Sequence, residues 1–141
     1  MKENYKIYAK GMGDGERCAC GVIVMKDGRE MFSGCKVFCD FIPTRDGRIP
    51  LDEGGSANYQ CEVYGLVWGA SKIPGGAPFT VCTSSVAVRS WVENMRSNDR
   101  YMNIFEYFIR MSCGHKVDVS LVGNGQDKVM RKLRKICLTE V

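Results

Sequence analysis

The sequence predicts an α/β fold in which a mixed five-stranded sheet is flanked by helices. The first 40 residues contain three strand-like runs separated by turn residues. The remainder alternates segments of helical periodicity with two short apolar strands. A strand–helix–strand crossover joins parallel neighbours. We therefore expect an antiparallel meander of three strands, followed by two parallel strands.

The three strands of the meander are expected at residues 5–10, 18–25 and 30–39. The first alternates polar and apolar residues, and the second is rich in β-branched residues, which favour strands. The glycine-rich run 11–15 predicts a flexible turn after the first strand. An Asp-Gly pair at Asp27 and Gly28 predicts a tight hairpin between the second strand and the third.

Residues 40–56 are polar and broken by prolines and glycines, which predicts a long loop with no regular element. Asn58 is a residue type that caps helices, so we expect a helix to begin beside it. The remaining elements are expected as helices near 59–71, 85–95, 102–113 and 126–138 and as strands near 79–83 and 116–122.

Length and composition predict one domain spanning residues 1–141. No apolar run approaches the ~20 residues that cross a bilayer, and residues 1–10 lack a signal-peptide core. Several of the eight cysteines lie in apolar runs, so we expect reduced thiols, a cytoplasmic location and no membrane association. A zinc site is disfavoured, because Cys18-x-Cys20 and Cys35-x3-Cys39 lack the usual spacing and His115 is the only histidine.

Four local stretches resemble motifs of the ribonuclease H fold. Residues 7–11, Ile-Tyr-Ala-Lys-Gly, resemble the first strand, in which the family has an aspartate before glycine. Residues 58–62 resemble the Asn-rich start of the first helix, which ends in a catalytic glutamate. Residues 81–85 resemble the strand that ends in Thr-Asp-Ser, and residues 119–124 resemble the last strand, which leads into Gly-His. The chain is thus similar to a ribonuclease H-like domain over roughly residues 4–138.

The resemblance also implies a loss of activity. Active members hold two divalent metal ions with about four carboxylates, which are the hard oxygen ligands that Mg²⁺ requires. Of these positions only Glu62 is matched, because Lys10 replaces the central aspartate and Ser84 replaces another. Asn124 falls near the family's histidine, so these four residues mark a vestigial site. We therefore expect a catalytically degenerate domain with no cofactor and no metal. If the alignment holds, the Lys10 ammonium is expected to pair with Glu62.

A rebuilt metal site is the alternative to this reading. Asp14 and Glu16 follow the first strand and could approach Glu62. Such a site would bind Mg²⁺ and would make the protein a residual metal-dependent nuclease.

The last helix carries most of the basic character of the chain. Residues 126–135 contain five cations and one anion, which accounts for the net charge of +4. Lys128, Arg131, Lys132 and Lys135 share one helical face, opposite the apolar one. This stripe could bind phosphates by counterion release, or it could be an ordinary solvated helix face.

We expect a domain that binds RNA, DNA or an RNA–DNA hybrid without cleaving it. The basic stripe would be the contact surface. By resemblance, Asn58 and Gln60 would meet the minor groove. The alternative is a protein-interaction module that contacts its partner through residues 40–56.

Overall fold

A computed structural model describes residues 4–13 and 16–140 of the chain. The strands are β1 (Tyr5–Gly13), β2 (Arg17–Lys26), β3 (Arg29–Cys39), β4 (Phe41–Thr44), β5 (Gly47–Pro50), β6 (Phe79–Thr83) and β7 (Val117–Leu121). The α-helices are α1 (Ser56–Ala70), α2 (Val86–Asn94), α3 (Met102–Met111) and α4 (Lys128–Glu140). Of the helices in the described ranges, none combines the length and apolarity needed to cross a membrane.

The main sheet has five strands in the order β3-β2-β1-β6-β7. β1, β2 and β3 form the predicted antiparallel meander, whereas β1, β6 and β7 run parallel. The predicted fold class is therefore confirmed. Strand β6 pairs with β1 from Tyr5↔Phe79 to Tyr8↔Cys82, so β1 runs on past the end of β6. Lys10 and the β6–α2 connection therefore lie at the same end of the sheet, where β6 finishes.

The two faces of the sheet are covered by different helices. One face packs against α1, α2 and α3 in the larger core, and the other packs against α4. Two glycines let α1 approach the sheet closely. A Cβ at Gly65 would lie 2.9 Å from that of Ala9, and one at Gly69 would lie 2.6 Å from Ile7. Such distances leave no room for a larger side chain, so α1 and the residues it carries are held at a fixed depth.

The prediction that residues 40–56 contain no regular element is wrong. β4 and β5 form an antiparallel hairpin that lies apart from the main sheet. Ile42 and Ile49 lie opposite each other in this hairpin and are both buried. Proline is tolerated in these strands because a two-stranded ribbon leaves half of its N–H groups outside the ladder. Buried isoleucines therefore outweigh the turn-forming composition of the segment.

Two predictions about the start of α1 and the end of β1 are also wrong. Asn58 lies inside α1 instead of capping it, because the helix begins at Ser56 and Gly55 occupies the N-cap position. The turn expected at residues 11–15 is wrong for residues 11–13, which belong to β1. Asp14 and Gly15 lie outside the described residues. Gly11 is a strand residue, and a Cβ there would clash with the Asn58 carbonyl oxygen, so only glycine lets β1 meet α1 here.

Candidate nucleic-acid interface

The carboxyl group of Glu62 is buried where α1 meets the end of β6. Glu62 is 8% exposed, and its carboxylate accepts a hydrogen bond of 2.8 Å from the Thr83 hydroxyl. The Thr83 oxygen in turn accepts from the backbone N–H of Ser85, at 3.0 Å. Burial raises the pKa of Glu62 to about 7, although the Thr83 hydrogen bond and the charge of Lys10 both act to lower it. This carboxyl therefore carries only part of a negative charge near neutral pH.

Lys10 makes a different contact from the one predicted. Its ammonium donates a hydrogen bond of 2.9 Å to the side-chain oxygen of Asn124. No ion pair within 4.0 Å joins Lys10 to Glu62 in the described chain, so the predicted pairing is not formed. Along β1, Lys10 shares the parity of Tyr8, which packs under α4. Glu62 comes from α1, which covers the opposite face of the sheet. Because the two side chains lie on different faces, their charges interact without forming an ion pair.

The loop that follows β6 serves a structural purpose. Ser84 is half-buried at the bend between β6 and α2. Its neighbour Ser85 caps α2, because the Ser85 hydroxyl accepts from the backbone N–H of Val88 at 3.2 Å. A serine at position 84 places a neutral hydroxyl at the sheet edge that Lys10 also approaches.

These side chains do not fit a pair of divalent metal ions. Within residues 4–13 and 16–140, no three His, Cys, Asp or Glu side chains come together in a way that could hold a metal. Glu62 is a partly protonated acid, and Lys10 brings a positive charge to the same edge. The fallback ligand Asp14 lies outside the described residues. Glu16 is exposed and lines a cleft with Asp52 and Glu53, in which Glu62 takes no part.

Helix α4 is amphipathic, as predicted. Met130, Leu133 and Cys137 are buried against the sheet. The helix begins after Asp127, whose carboxylate accepts from the backbone N–H of Met130 at 2.9 Å. Cys137 lies against the backbone of β1, with its Sγ 3.9 Å from the Lys10 carbonyl oxygen. The basic helix therefore rests directly on the strand that carries Lys10.

The opposite side of α4 presents cations to solvent. All four residues of the predicted stripe are exposed, and Arg134, which the stripe did not include, is exposed beside them. Lys132 is paired with Glu30 of β3. In the part of the chain that the structure describes, no carboxylate lies within ion-pair distance of the other four cations, which are Lys128, Arg131, Arg134 and Lys135.

Asn58 and Gln60 differ in what they can offer a ligand. Asn58 is half-buried, and its side-chain oxygen accepts from the Cys18 thiol at 3.5 Å. Among the described residues, none accepts a hydrogen bond from its amide NH2 group. Gln60 is only 2% exposed. Its amide donates to the Pro50 carbonyl at 3.0 Å and accepts from the Asp52 N–H at 2.8 Å. Gln60 thus fastens the end of the β4–β5 hairpin to α1 and presents no free amide at the surface.

Sequence reasoning missed the partners of the two central residues. Thr83 could have been found from strand alternation, which turns it toward the helix face together with Val81. No local pattern signals that Asn124 contacts Lys10, because the two residues are 114 positions apart.

The strand order, the crossovers and the placement of the helices define a ribonuclease H-like fold. Solved structures of this class match over nearly the whole chain. The N-terminal RNase H domain of a Mycobacterium tuberculosis protein, solved as a fusion with maltose-binding protein, is 13% identical, with a TM-score of 0.70 over 97% of this chain and 94% of that chain. RNase H1 from the archaeon Halobacterium salinarum is 15% identical, with a TM-score of 0.70 over 98% of this chain and 99% of that one.

A third match was solved with nucleic acid. LC11-RNase H1 in complex with an RNA/DNA hybrid is 11% identical, with a TM-score of 0.63 over 96% of this chain and 98% of that chain. No sequence-family profile matches the chain, and no curated protein matches it by sequence. At these low identities, the structural similarity establishes the fold alone.

Proposed function

We propose that this chain is a catalytically degenerate ribonuclease H-like domain that binds nucleic acid without cleaving it. The observation that carries the proposal is the contact between Lys10 and Asn124. An ammonium and a neutral amide meet at the end of the sheet where the resemblance implies metal-binding carboxylates, and the single buried carboxyl of Glu62 does not replace them. Nothing in this arrangement of described residues supplies a metal-activated water.

The proposed contact surface is the exposed face of α4 together with the loop before it. Lys128, Arg131, Arg134 and Lys135 carry charges that no described carboxylate neutralises, and Lys10 and Asn124 lie at the same end of the sheet. Phosphates bound by such cations release condensed counterions, which gives affinity independent of base sequence. Asn58, near the start of α1 on the other face of the sheet, adds a second contact through its amide group. The partner could be RNA, DNA or an RNA–DNA hybrid, and the hybrid bound by LC11-RNase H1 supports including the last.

All eight cysteines lie in the described chain and carry thiols, five of them buried. This supports a reducing compartment, so we place the protein in the cytoplasm as part of the same proposal.

The proposal is tested by measuring the affinity for labelled hybrid, duplex and single-stranded oligonucleotides at salt concentrations of about 50 and 200 mM. Replacing Lys128, Arg131 and Lys135 together with glutamine should flatten the slope of log affinity against log salt by up to about 3. The control variant replaces Arg89, Arg96 and Lys116 with glutamine. It changes the net charge by the same amount, but at positions in or beside α2 and β7, so the salt slope should stay as in the wild type. If no oligonucleotide binds in a salt-dependent way, or if both variants behave alike, the proposal is wrong.

A further inference from the structure

The β4–β5 hairpin is fixed to the helices at three points. Gln60 holds its end through Pro50 and Asp52, and Arg100 forms an ion pair of 2.9 Å with the Asp52 carboxylate. At the turn, one carboxylate oxygen of Asp46 accepts from the Tyr107 hydroxyl at 2.8 Å and from Arg110 at 3.4 Å. The hairpin is therefore held in place over α1 and α3, and the space beneath it is formed before any ligand arrives.

A groove of ≈ 510 Å³ lies between the hairpin and these two helices. Its floor is apolar, with Val67 from α1 and Ile104 and Met111 from α3. Met111 is 39% exposed, which is high for so large an apolar side chain. A volume of this size is in the range that accommodates one or two bulky side chains or a small ligand.

The rim of the groove is positively charged. Arg45 and Arg110 line it, and among the described residues no acidic side chain does. Two further cations border it, since Lys36 donates to the Tyr64 hydroxyl at 3.0 Å and Arg48 lies opposite Pro43 in the hairpin. Asp46 is adjacent and forms an ion pair of 3.4 Å with Arg110, so these two charges offset each other. The net positive charge of the rim therefore comes from Arg45, Lys36 and Arg48. The groove thus combines an apolar floor with a cationic edge.

We propose that this groove binds an acidic peptide segment of a protein partner, which inserts a bulky apolar side chain between Tyr64, Tyr107 and Met111 while its carboxylates meet Arg45 and Arg110. The cationic rim favours the carboxylates of the peptide by charge complementarity, and the apolar floor favours its bulky apolar side chain. This site lies between the hairpin, α1 and α3, on the face of the sheet opposite α4, and neither the α4 cations nor Asn58 line it, so it is separate from the proposed nucleic-acid surface.

A single-stranded nucleic acid fits this groove less well. Base stacking requires an open aromatic face. Here the Arg110 guanidinium lies 5.2 Å from the centre of the Tyr107 ring, and the Lys36 ammonium lies 5.4 Å from that of Tyr64. A base would have to displace these cations, whereas a peptide carboxylate can bind them where they are.

The experiment is an NMR titration of the full chain with a short peptide in which leucine and phenylalanine alternate with glutamate. The expected result is saturable shifts of amide signals at residues 43–45 and 104–111. A peptide with glutamine in place of glutamate should bind at least tenfold more weakly, as should the unchanged peptide with the Arg45→Glu variant. Arg45 and Met111 are both exposed, so we expect substitutions at these positions to leave folding intact. Met111→Gln should also weaken binding, through loss of the apolar floor.

Lys135→Glu on α4 is the matched control and should leave peptide binding unchanged. The proposal is overturned if the acidic peptide produces no localised shifts, or if Arg45→Glu and Lys135→Glu weaken it equally. It is also overturned if a single-stranded oligonucleotide causes the same shifts and Arg45→Glu abolishes them, because the groove would then be a nucleic-acid site.

Discussion

The ammonium of Lys10 donates a hydrogen bond of 2.9 Å to the side-chain oxygen of Asn124, across the edge of the sheet where β6 ends. The two residues come from the central strand and from the loop before α4, so their contact ties the basic helix to the middle of the fold. Glu62 lies on the other face of the sheet, where it is hydrogen-bonded to Thr83. This end of the sheet therefore holds one positive charge, on Lys10, and one weak acid, Glu62.

Restoring carboxylates at this edge should create a cation site. We expect the double variant Lys10→Asp, Ser84→Asp to be stabilised by Mn²⁺, because two new carboxylates at this end of the sheet would supply the oxygen ligands that the cation prefers. A gain of about 1 kcal/mol corresponds to a rise in Tm of roughly 3 °C for a domain of this size. The control Lys10→Asn, Ser84→Asn should not respond. An equal response of the wild-type protein would show that it already has a metal site.

The buried Glu62 carboxyl should make stability depend on pH. In the unfolded chain this group titrates near 4.5, whereas in the folded protein its pKa is about 7. The folded state therefore holds the proton more tightly, so this group lowers stability as pH rises from about 4.5 to about 7 and changes it no further above that. Glu62→Gln, which cannot ionise, should be more stable than wild type above that range by up to about 3 kcal/mol.

The gain should disappear at acidic pH, where both chains are neutral at this position. Chemical denaturation across this pH range measures the difference, with the exposed Glu106→Gln as the control. A stability difference between wild type and Glu62→Gln that does not change with pH would contradict the burial of an ionisable carboxyl here.

Gln60 should be important for stability and for the order of the hairpin. Gln60→Ala leaves the Pro50 carbonyl and the Asp52 N–H without their partner, which costs about 1–3 kcal/mol. Hydrogen exchange at the Asp52 amide should accelerate accordingly. Gln126→Ala, at an exposed position, should change stability by less than about 0.5 kcal/mol. Equal, small effects of the two substitutions would show that the Gln60 contacts do not hold the segment.

The thiols should differ sharply in reactivity. Cys39 and Cys113 are exposed, Cys35 is half-buried, and the other five cysteines are buried. Burial raises the pKa of Cys137 to about 12, so little reactive thiolate forms there at neutral pH. A disulfide reagent should label two thiols quickly in the native protein, a third more slowly, and the rest only after unfolding. Fast labelling of Cys137 would contradict the packing of α4 on the sheet.

The sequence predicted those parts of the fold that local patterns determine. Period-two alternation located β1, β-branched residues and the Asp27-Gly28 turn located β2 and the start of β3, and helical periodicity located α4. The β4–β5 hairpin was missed because its stability comes from the buried pair Ile42 and Ile49 and from anchors such as Gln60. Those contacts lie outside the segment, whose own composition favours turns.

The site was predicted only in part, for a similar reason. The resemblance identified Lys10, Glu62, Ser84 and Asn124 as positions of interest, but the partner of each depends on which face of the sheet it occupies. Asn58 matched a capping residue by type, yet α1 begins at Ser56 with Gly55 at the N-cap position, three residues before the predicted cap. The role of Gln60 was also misjudged, because burial of its amide can only be known once the hairpin is placed.

The most direct test of the central claim is whether nucleic acid that is bound remains intact. A labelled RNA–DNA hybrid would be incubated with enough protein to saturate it, in Mg²⁺ and separately in Mn²⁺, and its strands would then be separated on a denaturing gel. Our account predicts that the hybrid is bound and that its RNA strand is not cut above background. Metal-dependent cleavage that disappears in Glu62→Gln would contradict it and would show that the domain is an active nuclease.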